Sequence, residues 1–372
     1  MYTKLINLFL VFLFAGCILY ADGQGVGNST NSLSNRLTGI NGSCGPECNC
    51  GCIQGNPCTC LANEDYAQEG EGYNENETAQ NENCCNKRPE IVIYSGIYPY
   101  CAECESGCCS GVWLPECPPL FRPLVADPHS ANSSAGWRLN DQVLVKNVID
   151  VSYYSYVPFY RWCDVGPWHG QLQIELEGAL WAVFDPLHDS SPLMNADYYV
   201  GIPITYAFDR WAFRLRGYHI SSHIGDEFLL DHPRFVRKNP SAEYLDLYAS
   251  YWITNEVRLY GGIGCVVAQD ESFRTGRAYA ETGAEVHLSN LGFVNECQML
   301  YGRPFFGMDF RFQSKQKKHI NQTYVLGYEW GKLTGLEHVL RAFIEYHDGY
   351  SYEGQFSRFA TNYFSFRLSY GF

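Results

Sequence analysis

The stretch Thr361-Asn362-Tyr363-Phe364-Ser365-Phe366-Arg367-Leu368-Ser369-Tyr370-Gly371-Phe372 decides how the rest of the chain reads. Phe364, Phe366, Leu368, Tyr370 and Phe372 share one parity, and Tyr363, Ser365, Arg367 and Ser369 share the other. A period of two is that of a β-strand, whose successive side chains point to opposite faces. A soluble domain rarely ends on an exposed strand whose every second residue is large and apolar, because such an edge pairs with other chains. A transmembrane β-barrel removes that edge by closing its last strand on its first, and lipid solvates the apolar face. The alternative is the closing strand of a soluble sandwich.

Working back from the end, the same alternation recurs. Phe306, Met308, Phe310 and Phe312 alternate with Asp309 and Arg311. Leu245, Leu247, Ala249 and Tyr251 alternate with Asp246, Tyr248 and Ser250, and Leu172, Ile174 and Leu176 with Gln173 and Glu175. The polar parity carries both signs of charge at similar density, as the lumen of a small barrel does. Arg214, Arg216, Asp246, Arg258, Glu281 and Glu285 are candidates to bridge across that lumen. Tight turns at Phe208 to Arg210, Thr254 to Glu256, Ser289 to Leu291 and Gly331 to Gly335 alternate with longer connections. The longer ones are Asp185 to Ala196, Gly225 to Ala242, Ala268 to Arg277, Gln313 to His319 and Gly349 to Thr361. Outer-membrane barrels have short periplasmic turns and long outer loops. The alternation requires Gly292 to Phe312 to be one long strand bent near Arg303-Pro304.

This gives ten strands from His169 onward. Trp137 to Trp162 is either one more hairpin or a segment lying in the lumen, and an even count with both termini on one side favours the hairpin. The fold expected is all-β: an antiparallel transmembrane β-barrel over residues 120–372, of ten to twelve strands with twelve favoured, preceded by a cysteine-rich irregular segment.

Composition agrees. Aromatic residues make up 16% of the 372 residues and charged residues 18%, a share of aromatics that suits the girdles at a barrel's two water interfaces. Beyond the amino-terminal leader, no apolar run reaches the length of a spanning helix. The net charge of −14 argues against nucleic acid as a partner. The partners expected are outer-membrane lipid and the barrel-assembly machinery. The terminal Phe372, with Tyr370 before it, resembles the assembly signal of bacterial outer-membrane proteins.

Residues 1–21 read as a secretory signal, Lys4 followed by the apolar Leu5 to Leu19. Phe14-Ala15-Gly16-Cys17 resembles a bacterial lipobox, with Cys17 as the lipidated residue; the alternative is plain cleavage near Ala21. Residues 22–119 show neither helical nor strand period, and Ala67 to Glu82 is acidic and Asn-rich, so this segment reads as largely irregular and periplasmic. Cys44, Cys48, Cys50, Cys52, Cys58, Cys60, Cys84, Cys85, Cys101, Cys104, Cys108, Cys109 and Cys117 crowd into it. Export through an oxidising compartment makes them disulfide candidates, in place of a hydrophobic core. The Cys101-x2-Cys104 spacing also suits zinc. Their odd number leaves one thiol to pair with Cys163, to pair between chains, or to stay free. The segment is similar in style to cysteine-rich bacterial envelope proteins cross-linked between chains.

One stretch carries chemical potential: Tyr218-His219-Ile220-Ser221-Ser222-His223-Ile224-Gly225-Asp226-Glu227. By parity His219 and Ser221 continue the lipid-facing row of Trp211, Phe213, Leu215 and Gly217. Polar groups at a hydrocarbon boundary are costly and so suggest function. With Pro123 to Pro128 upstream and Arg258-Leu259-Tyr260-Gly261-Gly262 downstream, the stretch resembles an uncharacterised family of bacterial outer-membrane proteins, over roughly residues 120–372. Tyr218-His219-x-Ser221-Ser222 is more distantly similar to the His-x-Ser-Asn motif of outer-membrane phospholipase A and lipid A deacylases, in which the His and Ser lie on the lipid side near the outer leaflet. Ser222 replaces the motif's Asn. The resemblance implies Ser221 as nucleophile and His219 as base. If Ser222 pairs with Ala242, then Ser221 faces Glu243, which shares the outward parity and would orient the histidine. Two other readings stand beside this one. His219, Ser221 and His223 are interface residues without chemistry, or His223, Asp226, Glu227 and Asp231 bind a divalent cation. No phosphate loop or dinucleotide motif occurs. The function expected is an envelope-structural or pore-forming barrel in the outer membrane; the alternative is a lipid-acting serine esterase in the same barrel.

Overall fold

The computed structural model describes residues 110–372, except 131, 296–299, 317–319 and 333–337. The leader, Cys17 and the cysteines from Cys44 to Cys109 lie outside the described residues. All described residues belong to one compact unit, Tyr66–Phe372.

Fourteen strands follow in order: β1 (Gly111–Trp113), β2 (Ser133–Leu139), β3 (Asn147–Val165), β4 (Gly170–Phe184), β5 (Leu193–Phe208), β6 (Trp211–Ile224), β7 (Ser241–Trp252), β8 (Val257–Gln269), β9 (Ala278–His287), β10 (Phe293–Asn295), β11 (Leu300–Gln313), β12 (Asn321–Lys332), β13 (Val339–Tyr350) and β14 (Ala360–Gly371). Among the described residues one short helix, α1 (Asp226–Asp231), lies between β6 and β7. Twelve of the strands form a closed antiparallel cylinder, each paired with its neighbours and β14 paired with β2. The seam runs from Phe364 opposite Leu139 to Tyr370 opposite Ser133. The hairpin expected at Trp137 to Trp162 is thus β2 and β3. The remaining strands are short additions: β1 pairs with β3, and β10 with β11.

Gly292 to Phe312 is not one bent strand. A 3-10 turn at Ser289–Leu291 leads into β10, which folds back on the start of β11 with Phe293 opposite Gly302. β11 itself runs unbroken through Arg303 and Pro304. Pro304 is tolerated because β9 ends at His287 opposite Phe305, so its missing N–H faces no β9 ladder partner, while its carbonyl accepts from Leu288.

The two faces of the wall separate as the alternation requires. On β14, Phe364, Phe366, Leu368 and Tyr370 are 54–58% exposed, whereas Tyr363 and Ser365 are at most 2% exposed. On β7, Leu245 and Leu247 are exposed and Asp246 and Tyr248 are buried. An apolar row of this kind around a closed cylinder is what a lipid bilayer solvates. Phe372 departs from the row. The strand ends at Gly371, and Phe372 turns inward to 8% exposure, its ring edge-on to the lumen-facing Tyr156 at 5.3 Å and its carbonyl accepting from Arg341 at 3.2 Å.

The lumen is filled by the chain that precedes β2. Cys117, Leu120, Phe121, Leu124 and Ala126 are nearly fully buried. Leu120, Phe121 and Leu124 pack on Ala207, Ala212, Tyr248 and Tyr260 of the wall. Ala126 packs on Phe305, Val325 and Phe343. Glycine at 307 makes room for this packing, since a Cβ there would sit 2.9 Å from Val325 of β12 and 3.3 Å from the Ala126 methyl group. Wall side chains then take up the segment's main-chain groups: Tyr156 donates to Cys117 O (3.1 Å), Arg161 to Pro118 O (2.5 Å), and Val125 N donates to Glu285 (2.7 Å). Such pairing is what makes irregular backbone tolerable inside a membrane protein.

The charged wall residues do not bridge across the lumen, because this segment occupies its centre. They pair with neighbours around the wall: Arg216 with Asp246 (2.7 Å), Arg258 with Glu285 (3.2 Å) and Arg311 with Glu281 (3.1 Å). Arg214 lies over the Phe121 ring of the plugging segment at 4.3 Å. At the other end of the cylinder, where the connections are long, Phe228 of α1 and Phe356 close over Val148, Val183, Met194 and Ile224.

Candidate functional site

His219 and Ser221 stand on the outward parity of β6, toward the long-loop end. Across the ladder, His219 is opposite Glu243 and Ser221 is opposite Ser241. The register therefore differs by two residues from the expected Ser222–Ala242 pairing, and Ala242 is opposite Ile220. The sixteen-residue connection 225–240 sets it, with α1 at its start and β7 beginning only at Ser241. A two-residue slip keeps every side chain on its face. Glu243 thus remains outward but meets the histidine directly, with His219 Nδ1 3.4 Å from a Glu243 carboxylate oxygen. The histidine side chain is 23% exposed and the glutamate 51%.

With Nδ1 turned to the carboxylate, Nε2 is the nitrogen left for a second partner. Ser221 lies two residues along the same face, and no hydrogen bond joins its hydroxyl to His219 among the described residues. Ser222 is not part of this patch. It points inward, is 2% exposed and donates to Asn195 at 2.9 Å.

The four residues considered for a cation are not gathered into one shell. His223 is edge-on to Tyr198 at 5.5 Å. Glu227 accepts from Ser190 at 3.4 Å, and Asp231 lies 3.7 Å from His188. Among the described residues, no group of three or more His, Cys, Asp or Glu side chains is placed to hold a metal ion.

A second feature, inside the cylinder, was not visible in the alternation. At the long-loop end the plugging segment reaches the β13–β14 loop on one side, where the His129 ring lies 5.1 Å from that of Tyr352, and leaves a cavity of about 530 Å³ beside it. Asp127 and His129 of the segment form part of its lining, with Trp181, Tyr218, Tyr244 and Arg311 of the wall and Arg274, Lys315 and Arg358 of the loops. His129 stacks on Trp181 at 4.4 Å. The sequence held one signal for it: Asp127-Pro128-His129 is a polar step in an otherwise apolar, proline-rich run.

Residues 95–372 match the model of a family described as protein of unknown function, DUF1207. The chain belongs to that family. Comparison with curated proteins finds no match. Among solved structures, outer membrane phospholipase A from Escherichia coli is similar at 12% identity, covering 66% of this chain and 94% of its own, with a TM-score of 0.45. LpxR from Salmonella typhimurium is similar at 12% identity over 65% of this chain and all of its own, TM-score 0.33. The β-domain of the Bordetella autotransporter BrkA is similar at 12% identity over 64% and 98%, TM-score 0.33. At such scores none of the three bears on activity.

Proposed function

We propose that this protein is an integral outer-membrane β-barrel whose role is structural or ligand-holding rather than conductive. One observation carries the reading: residues 117–126 are buried along the lumen and hydrogen-bonded to its wall. The pore expectation narrows accordingly, since passage needs that segment to move. Conductance of the refolded full chain in planar bilayers tests it. No stable unitary currents are expected at moderate voltage, and steady open channels would overturn the reading.

The cysteine-rich segment then belongs on the periplasmic side, stapled by disulfides within the chain or to other envelope proteins. Its support is the crowding of cysteines before the barrel in a chain read as exported through an oxidising compartment. Insertion through the assembly machinery by way of Tyr370 and Phe372, and lipidation at Cys17, belong to the same reading.

A second reading, a lipid-acting serine esterase, is favoured by the His219–Glu243 contact on the outward face. Ser221 would attack an acyl carbonyl, His219 would take the hydroxyl proton on Nε2, and Glu243 would hold the ring through Nδ1. Hydrolysis of acyl substrates in mixed micelles tests it, with a refolded wild type that shows no turnover deciding against it. A divalent cation near His223 and Asp226 has less support, because those side chains do not converge.

A further inference from the structure

The cavity at the long-loop end has the size of ordinary small-molecule sites and the mixed lining they show, aromatic faces with a few convergent polar groups. We propose that it binds a small anionic solute that also carries hydroxyl groups, of the class of uronic acids and sugar phosphates. Such a solute would enter from the loops, since the plug closes the other side. Such binding rests on the ligand-holding reading above and is independent of the His219 patch.

Three features carry it. The first is the rim. Arg274, Lys315 and Arg358 are exposed there. Arg358 is held in place over the Phe273 ring at 4.0 Å and by a hydrogen bond to Arg274 O at 3.1 Å. The acid that pairs with this group among the described residues is Glu271, 3.3 Å from Arg274 and 91% exposed, so the pairing is weak. On a chain of net charge −14, three cations at one concave mouth concentrate anions there.

The second feature is the wall. Tyr244 lies flat on Tyr218, with centroids 4.8 Å apart and planes 6° apart, and His129 lies on Trp181. Aromatic side chains lining a cavity offer apolar contact to the C–H groups of a sugar ring and would gain little from a bare inorganic anion. The third feature is unfilled hydrogen-bonding capacity. The hydroxyl of Tyr352 is buried and lacks a partner among the described residues. Beside it, Asp127 accepts the main-chain N–H of His129 on Oδ1 at 2.9 Å and also lines the cavity. A buried group left unpaired costs stability unless a ligand or water completes it, and ligand hydroxyls would do so here.

The test uses the refolded full chain in detergent micelles, with tryptophan fluorescence, to which the cavity-lining Trp181 contributes, as one readout and calorimetry as the other. The probes are glucose 6-phosphate, galacturonate, glucose and inorganic phosphate. Saturable binding is expected for the first two, with glucose and inorganic phosphate weaker by about tenfold or more. The double charge reversal Arg274→Glu with Arg358→Glu should weaken binding about tenfold. Tyr352→Phe removes one oxygen with little risk to folding, and should weaken it several-fold. Absence of saturable binding by both acidic sugars would overturn the proposal. So would equal binding of glucose, equal binding of inorganic phosphate, or an unchanged affinity in Tyr352→Phe.

Discussion

Arg258 of β8 donates to the main-chain oxygen of Pro123, 3.2 Å away toward the short-turn end of the lumen, and through its other terminal nitrogen to Arg122 O at 2.9 Å. The same guanidinium holds Glu285 at 3.2 Å and is 1% exposed. One wall residue therefore fixes the plugging segment and balances a buried carboxylate.

Arg258→Ala should accordingly be among the most damaging single changes in the barrel. Leaving Glu285 buried without its partner costs roughly 3–5 kcal/mol, and the plug loses two hydrogen bonds as well. Urea unfolding in lipid vesicles measures the first effect, and bilayer conductance the second. An unchanged midpoint together with silent bilayers would refute this account of the plug.

The loop between β13 and β14 is tied to β2 by an ion pair, Arg138 to Glu353 at 2.6 Å. Burial alone would push Glu353 up, but Arg138 and the Ser351 hydroxyl outweigh it and hold the carboxyl below its usual range. A depressed folded pKa contributes stability that is fully present above the unfolded value, near 4.3, and lost as pH falls through the folded one. Hydrogen exchange of residues 351–359 should therefore accelerate as pH drops from about 5 to about 3 once corrected for intrinsic rates. In Glu353→Gln the loop should be looser at neutral pH and much less pH-dependent. Equal pH profiles in the two proteins would remove Glu353 as the cause.

Leu247 is 50% exposed on the outward face. On a water-facing surface Leu247→Arg would change stability by no more than about 0.5 kcal/mol, whereas in lipid it should cost roughly 2–4 kcal/mol. The parity pattern alone suggests that Asp246→Asn, one residue away, is mild. The structure points the other way, because Asp246 is 2% exposed, pairs with Arg216 at 2.7 Å and accepts from Tyr279 at 3.0 Å. Neutralising it should cost a few kcal/mol too. Folding titrations of both variants in vesicles decide the matter.

If the outward patch is an esterase, Ser221→Ala and His219→Ala should each abolish acyl hydrolysis with folding intact. Glu243→Gln should lose less, since an orienting acid contributes less than the nucleophile or the base. A serine-directed probe should label the wild type and spare Ser221→Ala. Labelling that persists in Ser221→Ala would place any reactivity elsewhere.

The walls of the cylinder were legible because a period of two is read residue by residue, as at Tyr363 to Tyr370. The contact of His219 with Glu243 was half legible. Parity placed both outward, but a two-residue slip conserves parity, so the pattern cannot say which residues face each other. The plug left no trace in periodicity. Residues 117–130 have no repeating partner, and their contacts, such as Val125 with Glu285 or Ala126 with Phe305, join positions far apart in the sequence. Pro304 is a false break signal for a related reason: proline marks a break only where its N–H has a ladder partner to lose.

The plug is anchored to the same strand at both ends. On one side Val112 of β1 is opposite Arg161 of β3, and on the other Ser134 of β2 is opposite Ser152 of β3. It is therefore a closed loop and not a loose tail, and tension from the amino-terminal side would fall first on the short β1–β3 ladder. The same connectivity constrains the order of assembly. β2, which ends the loop, is also the strand onto which β14 zips, so a segment already lying in the curling sheet would be enclosed as the last seam closes.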